Sequence, residues 1–434
     1  MYFTQRFYLS AAVIVCTMAI GHFAGLPFGV SATLLAVGIA LTLADSAALW
    51  AFGRNAVEAR RTVAERLSNG DDNPVTIDVE SILPFAIDIT VIDELPVQFQ
   101  MRDAAYPLHV DKQGHAQLVY HIRPTERGSY GFGRIRLFVR TPLALVERRF
   151  TKGDPKDVKV YPSYLMLRRY ELLAMSNNLQ EMGIKRIRRP GNNTDFDEIK
   201  DYVEGDDYRT INWRATARRH HLMVNVYQEE RSQQVISVID KGRMMHRAWR
   251  GMTLLDYAIN AALVLSYVAT RRDDRAGLVT FADHFDTFVP PERRSGQMQR
   301  LLEALYNQQT DFAETDFSQL LTGLTRSLSR RSLLILFTDF LGIHALERQL
   351  PILRQIALRH RLLIVFFSDE QQEDYIATRP TDTEDYYRHV IAEKYAAEQQ
   401  LIVSTLRRYG IQALLTTPRH LSIDAVNRYL QMAY

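Results

Sequence analysis

The sequence predicts a protein of three parts: two N-terminal transmembrane helices, an antiparallel β sandwich, and an α/β domain with a mostly parallel sheet. Three observations predict this order. Residues 1–53 hold two long apolar runs, residues 75–165 alternate apolar with polar side chains, and residues 234–434 alternate apolar strands with helical segments. We expect residues 54–74 to be a juxtamembrane linker and residues 166–233 to form a separate segment between the two soluble domains.

The two apolar runs predict a helical hairpin that crosses a membrane twice. They cover residues 7–26 and 28–52, and each is close to the roughly 20 residues that span a bilayer. Basic side chains flank only the outer ends, which by the positive-inside rule puts both soluble domains in the cytoplasm at the inner membrane. A cleaved signal peptide or a pair of buried core helices are the alternatives. The flanking basic residues are Arg6, Arg54, Arg60, Arg61 and Arg66.

Composition limits the chemistry of the chain. The formal net charge is +3 over 434 residues, so the chain is only mildly basic and we expect no nucleic-acid partner. Cys16 is the single cysteine, which excludes a disulfide framework within one chain. Asp45 lies inside the second run, where a carboxylate is costly, and either pairs with another helix or lies near the interface. We find neither a Walker A motif nor a Ser nucleophile elbow in the sequence, and expect no ATP hydrolysis.

The first soluble domain carries the period-two pattern of half-buried strands. Several short strands separated by turn clusters predict a small antiparallel sandwich of the immunoglobulin-like type. No cluster of catalytic residue types occurs in these stretches, so we expect a structural or adhesive domain. The predicted strands are 75–80, 86–92, 116–122, 133–140 and 157–162.

From residue 234 the pattern predicts a sheet buried on both faces by helices. In such sheets ligands bind beyond the carboxyl ends of the strands, and three strands end there in an acid: Asp240, Asp339 and Asp369. Strands are predicted at 235–240, 276–281, 332–339, 362–369 and 412–417, and helices at 253–272, 298–306, 317–328, 345–358, 383–409 and 421–431.

Between the soluble domains lies a segment rich in charged and aromatic side chains, residues 195–231. It resembles the signature of the domain of unknown function 58 family, in which many residue types recur at fixed spacing. Lys200 stands where many members have Arg, a departure that retains the charge. The matching positions are Tyr202, Gly205, Asp206, Asp207, Arg209, Ile211, Trp213, Thr216, Ala217, Arg218, Glu229 and Arg231.

The resemblance extends to the order of the parts, with a von Willebrand factor A-like sheet at the end. Members of this family are often encoded beside MoxR-type AAA+ ATPases. The resemblance therefore implies a membrane-anchored adaptor, scaffold or assembly factor that binds such an ATPase and other membrane or von Willebrand factor A proteins. We expect a binding protein rather than an enzyme, with the matching residues as signature or partner-binding positions.

By themselves, the residues of the signature segment predict a salt-bridged turn. A Gly-Asp-Asp turn at 205–207 is followed by four arginines within reach of its carboxylates, with Trp213 as a buried apolar anchor. Three interpretations are open: an ion-pair network that holds the segment to the sheet, a partner-binding surface, or a catalytic acid pair formed by Asp206 and Asp207. The arginines are Arg209, Arg214, Arg218 and Arg219.

The first strand of the α/β domain ends in a degenerate metal-ion-dependent adhesion site. In von Willebrand factor A domains such a site has the pattern D-x-S-x-S, a Thr from a middle loop and an Asp after a later strand. Asp240, Thr315 and Asp339 match the two acids and the loop Thr. Gly242 and Met244 replace both serine hydroxyls. Because Mg²⁺ needs near-octahedral oxygen ligation, we expect no bound metal or other cofactor, and acids neutralised by neighbouring Arg or Lys.

Two further functions remain open. A metal-dependent enzyme would use the acids of the signature turn together with those at the sheet edge, namely Asp206, Asp207, Asp240 and Asp339. A lipid-binding scaffold would use the basic cluster at residues 185–190, which could contact anionic headgroups.

Overall fold

The structure, a computed structural model, describes residues 2–23, 28–101, 104–163, 195–204, 206–228 and 232–432. The chain divides into two units, Met1–Tyr161 and Pro162–Tyr434. Several sequence predictions concern residues outside the described ranges: the turn between the apolar runs, the basic cluster 185–190, Gly205, Glu229 and Arg231.

Two apolar helices, α1 (Gln5–Phe23) and α2 (Phe28–Trp50), pack against each other in the first unit. Gly38 allows a close approach, because a Cβ built on it would lie 2.8 Å from Cδ1 of Ile14. Among the described residues, Ala32–Trp50 is the stretch that is long and apolar enough to cross a membrane, while the apolar part of α1 is shorter. The structure thus confirms one apolar N-terminal helix of spanning length.

The rest of the first unit is a β domain, as the alternating pattern predicts. Its strands are β1 (Tyr2–Phe3), β2 (Val57–Thr62), β3 (Arg66–Ser68), β4 (Asn73–Ser81), β5 (Ile87–Asp93), β6 (Ala105–Val110), β7 (His115–Ile122), β8 (Gly128–Phe132), β9 (Ile135–Arg140), β10 (Val146–Lys152) and β11 (Lys156–Tyr161).

These strands form three sheets around one apolar core. The strand orders are β1-β10-β9-β5-β6, β3-β11-β8 and β2-β4-β7, and the paired strands are antiparallel except β3 with β11. Inward-facing side chains such as Ile77, Val91 and Leu137 are fully buried. The stretch 54–74, expected to be a linker, contains β2 and β3, so little free chain separates α2 from the sheets.

The signature segment opens the described part of the second unit. Strands β12 (Asp195–Asp201) and β13 (Met223–Gln228) pair in antiparallel fashion, and between them lie a 3₁₀ turn (Tyr208–Thr210) and the short helix α3 (Trp213–Arg219). Asn212 caps α3 by accepting a hydrogen bond from the backbone N–H of Ala215 at 3.0 Å.

The α/β domain has the predicted alternation. Its strands are β14 (Gln234–Asp240), the short pair β15 (Ala248–Trp249) and β16 (Met252–Thr253), β17 (Arg275–Phe281), β18 (Phe285–Glu292), β19 (Leu333–Phe337), β20 (Arg361–Phe367) and β21 (Gln412–Thr416). Its helices are α4 (Leu254–Arg271), α5 (Gln297–Tyr306), α6 (Phe317–Ser327), α7 (Ile343–Arg359), α8 (Glu370–Ala377), α9 (Thr383–Arg408) and α10 (Leu421–Met432).

Six of these strands form one sheet, in the order β18-β17-β14-β19-β20-β21. All neighbours are parallel except β18, which is antiparallel to β17. One face packs against α4, α5 and α10, and the other against α6, α7 and α9. The central strand β14 is therefore buried on both sides, and its carboxyl end places Asp240 at the edge where ligands bind in such sheets.

The edge strand β18 was not predicted. Its sequence contains Pro290 and Pro291, which cannot donate to a sheet and normally argue against a strand. It forms nevertheless because it lies at the end of the sheet, where one side needs no partner. Gly277 of β17 makes room for it, since a Cβ there would lie 3.0 Å from the carbonyl oxygen of Val289.

Candidate functional site

Asp240 ends the central strand and is almost fully buried, with 1% of its surface exposed. Its Oδ1 accepts hydrogen bonds from the Thr315 hydroxyl and the Gly242 backbone N–H, both at 2.8 Å. Its Oδ2 accepts a third, from the Thr338 hydroxyl at 2.6 Å. Burial raises the pKa of Asp240, and the three donors oppose that rise. The carboxylate is thus held by neutral donors.

Gly242 explains how Thr315 reaches this acid. A Cβ built on Gly242 would lie only 1.9 Å from Oγ1 of Thr315 and 3.0 Å from Oδ1 of Asp240. The loop threonine therefore occupies the space that a side chain at position 242 would need. The absence of a side chain at position 242 and the position of Thr315 are therefore one structural feature.

The basic residues beside Asp240 do not pair with it, contrary to our expectation. Lys241 is buried and pairs with Asp286, while it also donates to the carbonyl of Gln309 at 3.0 Å. Arg243 lies 3.5 Å from Glu314. These contacts direct both cations away from Asp240, because each has its own acceptor.

Asp339 follows strand β19 and is also buried, with 4% of its surface exposed. The cation nearest to Asp339 is Arg247, 3.6 Å from Oδ2, a residue that no sequence pattern indicated. Oδ1 accepts from the Phe340 N–H at 3.1 Å, whereas Oδ2 has no hydrogen-bond partner in the described part of the chain. Burial raises the pKa of Asp339 to about 7, despite Arg247 and the Phe340 N–H, and the nearby Asp240 adds to the rise.

Asp240, Thr315 and Asp339 line the same cleft, of about 110 Å³, at the carboxyl edge of the sheet. Its rim is mixed, with Phe317, Phe340 and Leu341 beside charged side chains. The third predicted acid has a different role, since Asp369 caps α8 by accepting from the Gln371 N–H at 3.0 Å.

The residues present do not fit a magnesium site. Both Asp240 oxygens already accept from protein donors, and no hydroxyl can project from Gly242. Among the described residues no group of three His, Cys, Asp or Glu side chains is placed to hold a metal. Mg²⁺ needs several well-placed oxygens, so we derive no metal chemistry from this cleft.

The acids of the signature turn have local structural contacts. Asp206 pairs with Lys200 at 3.0 Å and accepts from the Val203 N–H at 3.0 Å, and these contacts lower its pKa. Asp207 caps the 3₁₀ turn by accepting from the Arg209 N–H at 3.0 Å. The arginines predicted to pair with this turn do not, and neither acid shares a hydrogen-bond partner with Asp240 in the described ranges.

Trp213 is not the buried anchor that we predicted, because 68% of its surface is exposed. It is the first residue of the seven-residue helix α3, which turns only its inner side towards the hairpin. Met223 and Val224 of β13 are buried there instead. Sequence alone could not distinguish these side chains, since all three are large and apolar.

We use the name signature face for five exposed side chains of residues 208–218: Tyr208, Arg209, Trp213, Arg214 and Arg218. Tyr208 has 69% of its surface exposed, and the Arg209 guanidinium lies 5.8 Å from its ring centre. Two other signature positions among the described residues, Tyr202 and Thr216, make structural contacts. The Tyr202 N–H donates to the Leu222 carbonyl at 2.8 Å, and the Thr216 hydroxyl accepts from the Met223 N–H at 3.0 Å.

Comparison with known proteins agrees with the resemblance. Residues 198–379 match the family described as "Protein of unknown function DUF58". An uncharacterized protein of Mycobacterium tuberculosis is 25% identical over 178 residues, which cover 41% of this chain and 55% of that protein. The uncharacterized protein YeaD of Bacillus subtilis is 24% identical over 191 residues, covering 42% and 47%. The chain thus spans about half the length of the curated relatives it matches.

Solved structures give only weak likenesses. Proximal thread matrix protein 1 of the mussel byssus aligns with 45% of this chain and 46% of its own, at 13% identity and a TM-score of 0.27. The CARDB domain of a Pyrococcus furiosus protein aligns with 25% of this chain and 93% of its own, at 14% identity and a TM-score of 0.18. Neither supports a conclusion about this chain.

Proposed function

We propose that this protein is a non-catalytic, membrane-anchored adaptor, scaffold or assembly factor that works with a MoxR-type AAA+ ATPase. In this proposal α1 and α2 both cross the inner membrane, and the immunoglobulin-like sandwich and the von Willebrand factor A-like domain lie in the cytoplasm. The match to the DUF58 family over residues 198–379 and the spanning length of Ala32–Trp50 support it.

The observation that carries the proposal is the exposure of Trp213. Trp213 is exposed, and an exposed tyrosine and three exposed arginines lie within five residues of it in sequence, which are the residue types of a binding hot spot. Arg214 and Arg218 are neighbours at i and i+4 on α3, and neither has an acidic partner among the described residues. The signature face therefore suits a partner surface that offers carboxylates around an apolar pocket.

The acids argue for binding rather than catalysis. A general acid at neutral pH needs a raised pKa and access to substrate. Asp206 is exposed enough to meet a substrate but has a lowered pKa, whereas Asp240 is buried and its oxygens are occupied. Asp339 lines the cleft and has a raised pKa, but only 4% of its surface is exposed and the Arg247 guanidinium lies 3.6 Å from its Oδ2.

The test is association of the full chain, in detergent or lipid nanodiscs, with a purified MoxR-type ATPase from the same organism. Trp213→Ala should weaken binding by about 2 kcal/mol or more, which is roughly 30-fold. Tyr387→Ala is the matched control, because Tyr387 is an aromatic of similar exposure on α9 of the same unit. Absence of binding by the unmodified protein, or equal effects of both substitutions, would contradict the proposal.

A further inference from the structure

The loop between β9 and β10, residues 141–145, is held by α2 and by the residues that precede α1. Asp45 of α2 accepts hydrogen bonds from the backbone N–H groups of Leu145 and Val146, each at 2.9 Å, and from the Thr141 hydroxyl. Only 1% of the Asp45 surface is exposed. The sequence did not explain the Asp45 carboxylate. In the structure, the β domain supplies hydrogen-bond donors to both of its oxygens.

Residues 2–4 contact the same loop and the strand that follows it. Strand β1 pairs with β10, with Phe3 opposite Val146, and Thr4 donates its backbone N–H to the Leu145 carbonyl at 3.2 Å. Arg148 of β10 donates to the Leu49 carbonyl at 2.5 Å and lies 4.8 Å from the Trp50 ring centre. The residues that precede α1 and the last turns of α2 therefore meet at one end of the β domain.

The position of Asp45 within α2 determines how far along the helix the loop must reach. Asp45 lies five residues before the end of α2 at Trp50, which is about 7.5 Å along the helix at 1.5 Å per residue. The loop must reach at least that far along α2 for its N–H groups to meet the carboxylate. Leu145 goes further, because it lines the apolar groove of about 520 Å³ between α1 and α2.

The loop has the composition of a segment in contact with lipid. Its sequence, Thr-Pro-Leu-Ala-Leu, contains no charged residue, and the exposed positions are Pro142 and Leu143. Backbone N–H groups that leave water need acceptors, and Asp45 supplies them for the two residues that close the loop. Arg6 and Arg54 are exposed beside the helix ends, where anionic headgroups attract basic side chains.

We propose that the β9–β10 loop inserts into the headgroup–acyl boundary of the bilayer beside α2, with Leu143 as its lipid-contacting tip and Asp45 as the fixed acceptor for its backbone. This inference rests on the proposed membrane anchoring of α1 and α2. It makes the β domain a monotopic membrane contact in addition to its attachment through the helices. We infer that lipid covers the exposed surface of the loop, because this surface is continuous with that of α2, the helix of spanning length.

The experiment uses the full chain in liposomes that contain phosphatidylglycerol. Cys16→Ser removes the native thiol, and Leu143→Cys then carries an environment-sensitive nitrobenzoxadiazole label. Val97→Cys is the matched control, since Val97 is highly exposed on the same unit and follows the end of β5 that pairs with the start of β9, away from the loop. Spin-labelled lipids quench whichever label lies in the bilayer.

We expect the label at position 143 to lose most of its fluorescence to quenchers near the headgroup boundary, while the label at 97 is unaffected. Adding Asp45→Ala should abolish the quenching at 143 while the protein still resists carbonate extraction. Equal quenching at 143 and 97 in extraction-resistant protein overturns loop insertion alone. Release by carbonate overturns the anchoring and the insertion together. Self-quenching that depends on the protein-to-lipid ratio identifies a second copy, not lipid, as the occupant.

Discussion

Thr315 donates its hydroxyl to Oδ1 of Asp240 at 2.8 Å, through space that is free only because residue 242 is glycine. This contact links a loop before α6 to the end of the central strand. The contact holds the buried Asp240 carboxylate with a neutral hydrogen-bond donor. In a metal-ion-dependent adhesion site, the corresponding carboxylate would face a metal. The fold around the cleft therefore depends on a residue without a side chain.

Gly242→Ala tests this dependence. The added Cβ would lie 1.9 Å from Thr315 Oγ1, so we expect a loss of about 1–3 kcal/mol in the free energy of unfolding, as overpacked sites show. Thr315→Ala should cost about 1 kcal/mol by removing the hydrogen bond. The double variant should lose less than the sum of the two, because the clash needs both side chains. Additive losses in urea denaturation would refute the steric account.

Asp339 should make stability depend on pH in the direction opposite to that of most carboxylates. Its folded-state pKa of about 7 lies above its ordinary value, so the folded chain binds the extra proton and stability falls as the pH rises from about 4 to 7. Asp339→Asn removes this ionisation. We expect the stability of Asp339→Asn relative to the unmodified protein to increase by about 2–3 kcal/mol between pH 5 and pH 8. A constant difference across that range would show that Asp339 is ionised throughout.

Magnesium should not stabilise the protein. A ligand that binds the folded state raises its stability by mass action, and the cleft presents too few free oxygens for Mg²⁺. We expect the same melting temperature with millimolar Mg²⁺ and with a chelator, both for the unmodified chain and for Asp240→Ala. A rise in the unmodified chain that Asp240→Ala abolishes would restore the adhesion-site interpretation.

Trp213→Ala should change stability by less than about 1 kcal/mol, because the side chain is mostly exposed. Met223→Ala is the comparison within the same hairpin. Met223 is 3% exposed, so its truncation should cost about 2–5 kcal/mol. Denaturation of both variants measures the difference, and a large loss from Trp213→Ala would mean that the indole is covered in the folded protein.

The positions of the arginines predict the topology. Because Arg6 lies in the first turn of α1 and Arg54 follows α2, we expect a reporter fused after the last residue to be active in the cytoplasm. An alkaline phosphatase fusion is active only outside the cytoplasm, whereas a green fluorescent protein fusion is fluorescent inside it. Each fusion is therefore a control for the other. Phosphatase activity without fluorescence would reverse the orientation.

The sequence predicted the alternating α/β order well, because buried parallel strands such as β14 and β19 are continuous apolar runs. It predicted the strands of the β domain only in part. Strand β10, with the sequence Val-Glu-Arg-Arg-Phe-Thr-Lys, does not alternate clearly because Arg148 stands between the buried Val146 and Phe150, where it donates to the Leu49 carbonyl. The pairing of β1 with β10 joins residues far apart in sequence, and no local pattern predicts it.

At the candidate site, the sequence identified the acids but not their partners. Thr338 directly precedes Asp339 in the sequence, yet its hydroxyl donates a hydrogen bond to Asp240. Arg247 lies beyond the first strand, in a stretch without periodicity, so nothing marked it as the neighbour of Asp339. Trp213 was misplaced because an apolar residue in a polar segment is usually buried, whereas here it lies at the start of a short surface helix.

The contacts of the N-terminal residues with β10 affect the design of fragments that lack the two helices. A fragment that begins after Trp50 would lack β1, so Val146 and Glu147 of β10 would lose their strand partner at the edge of the sheet. The N–H groups of Leu145 and Val146 would also lose their acceptor. Such a fragment would offer a template for intermolecular strand pairing, and its aggregation would be an artefact of the cut rather than a property of the protein.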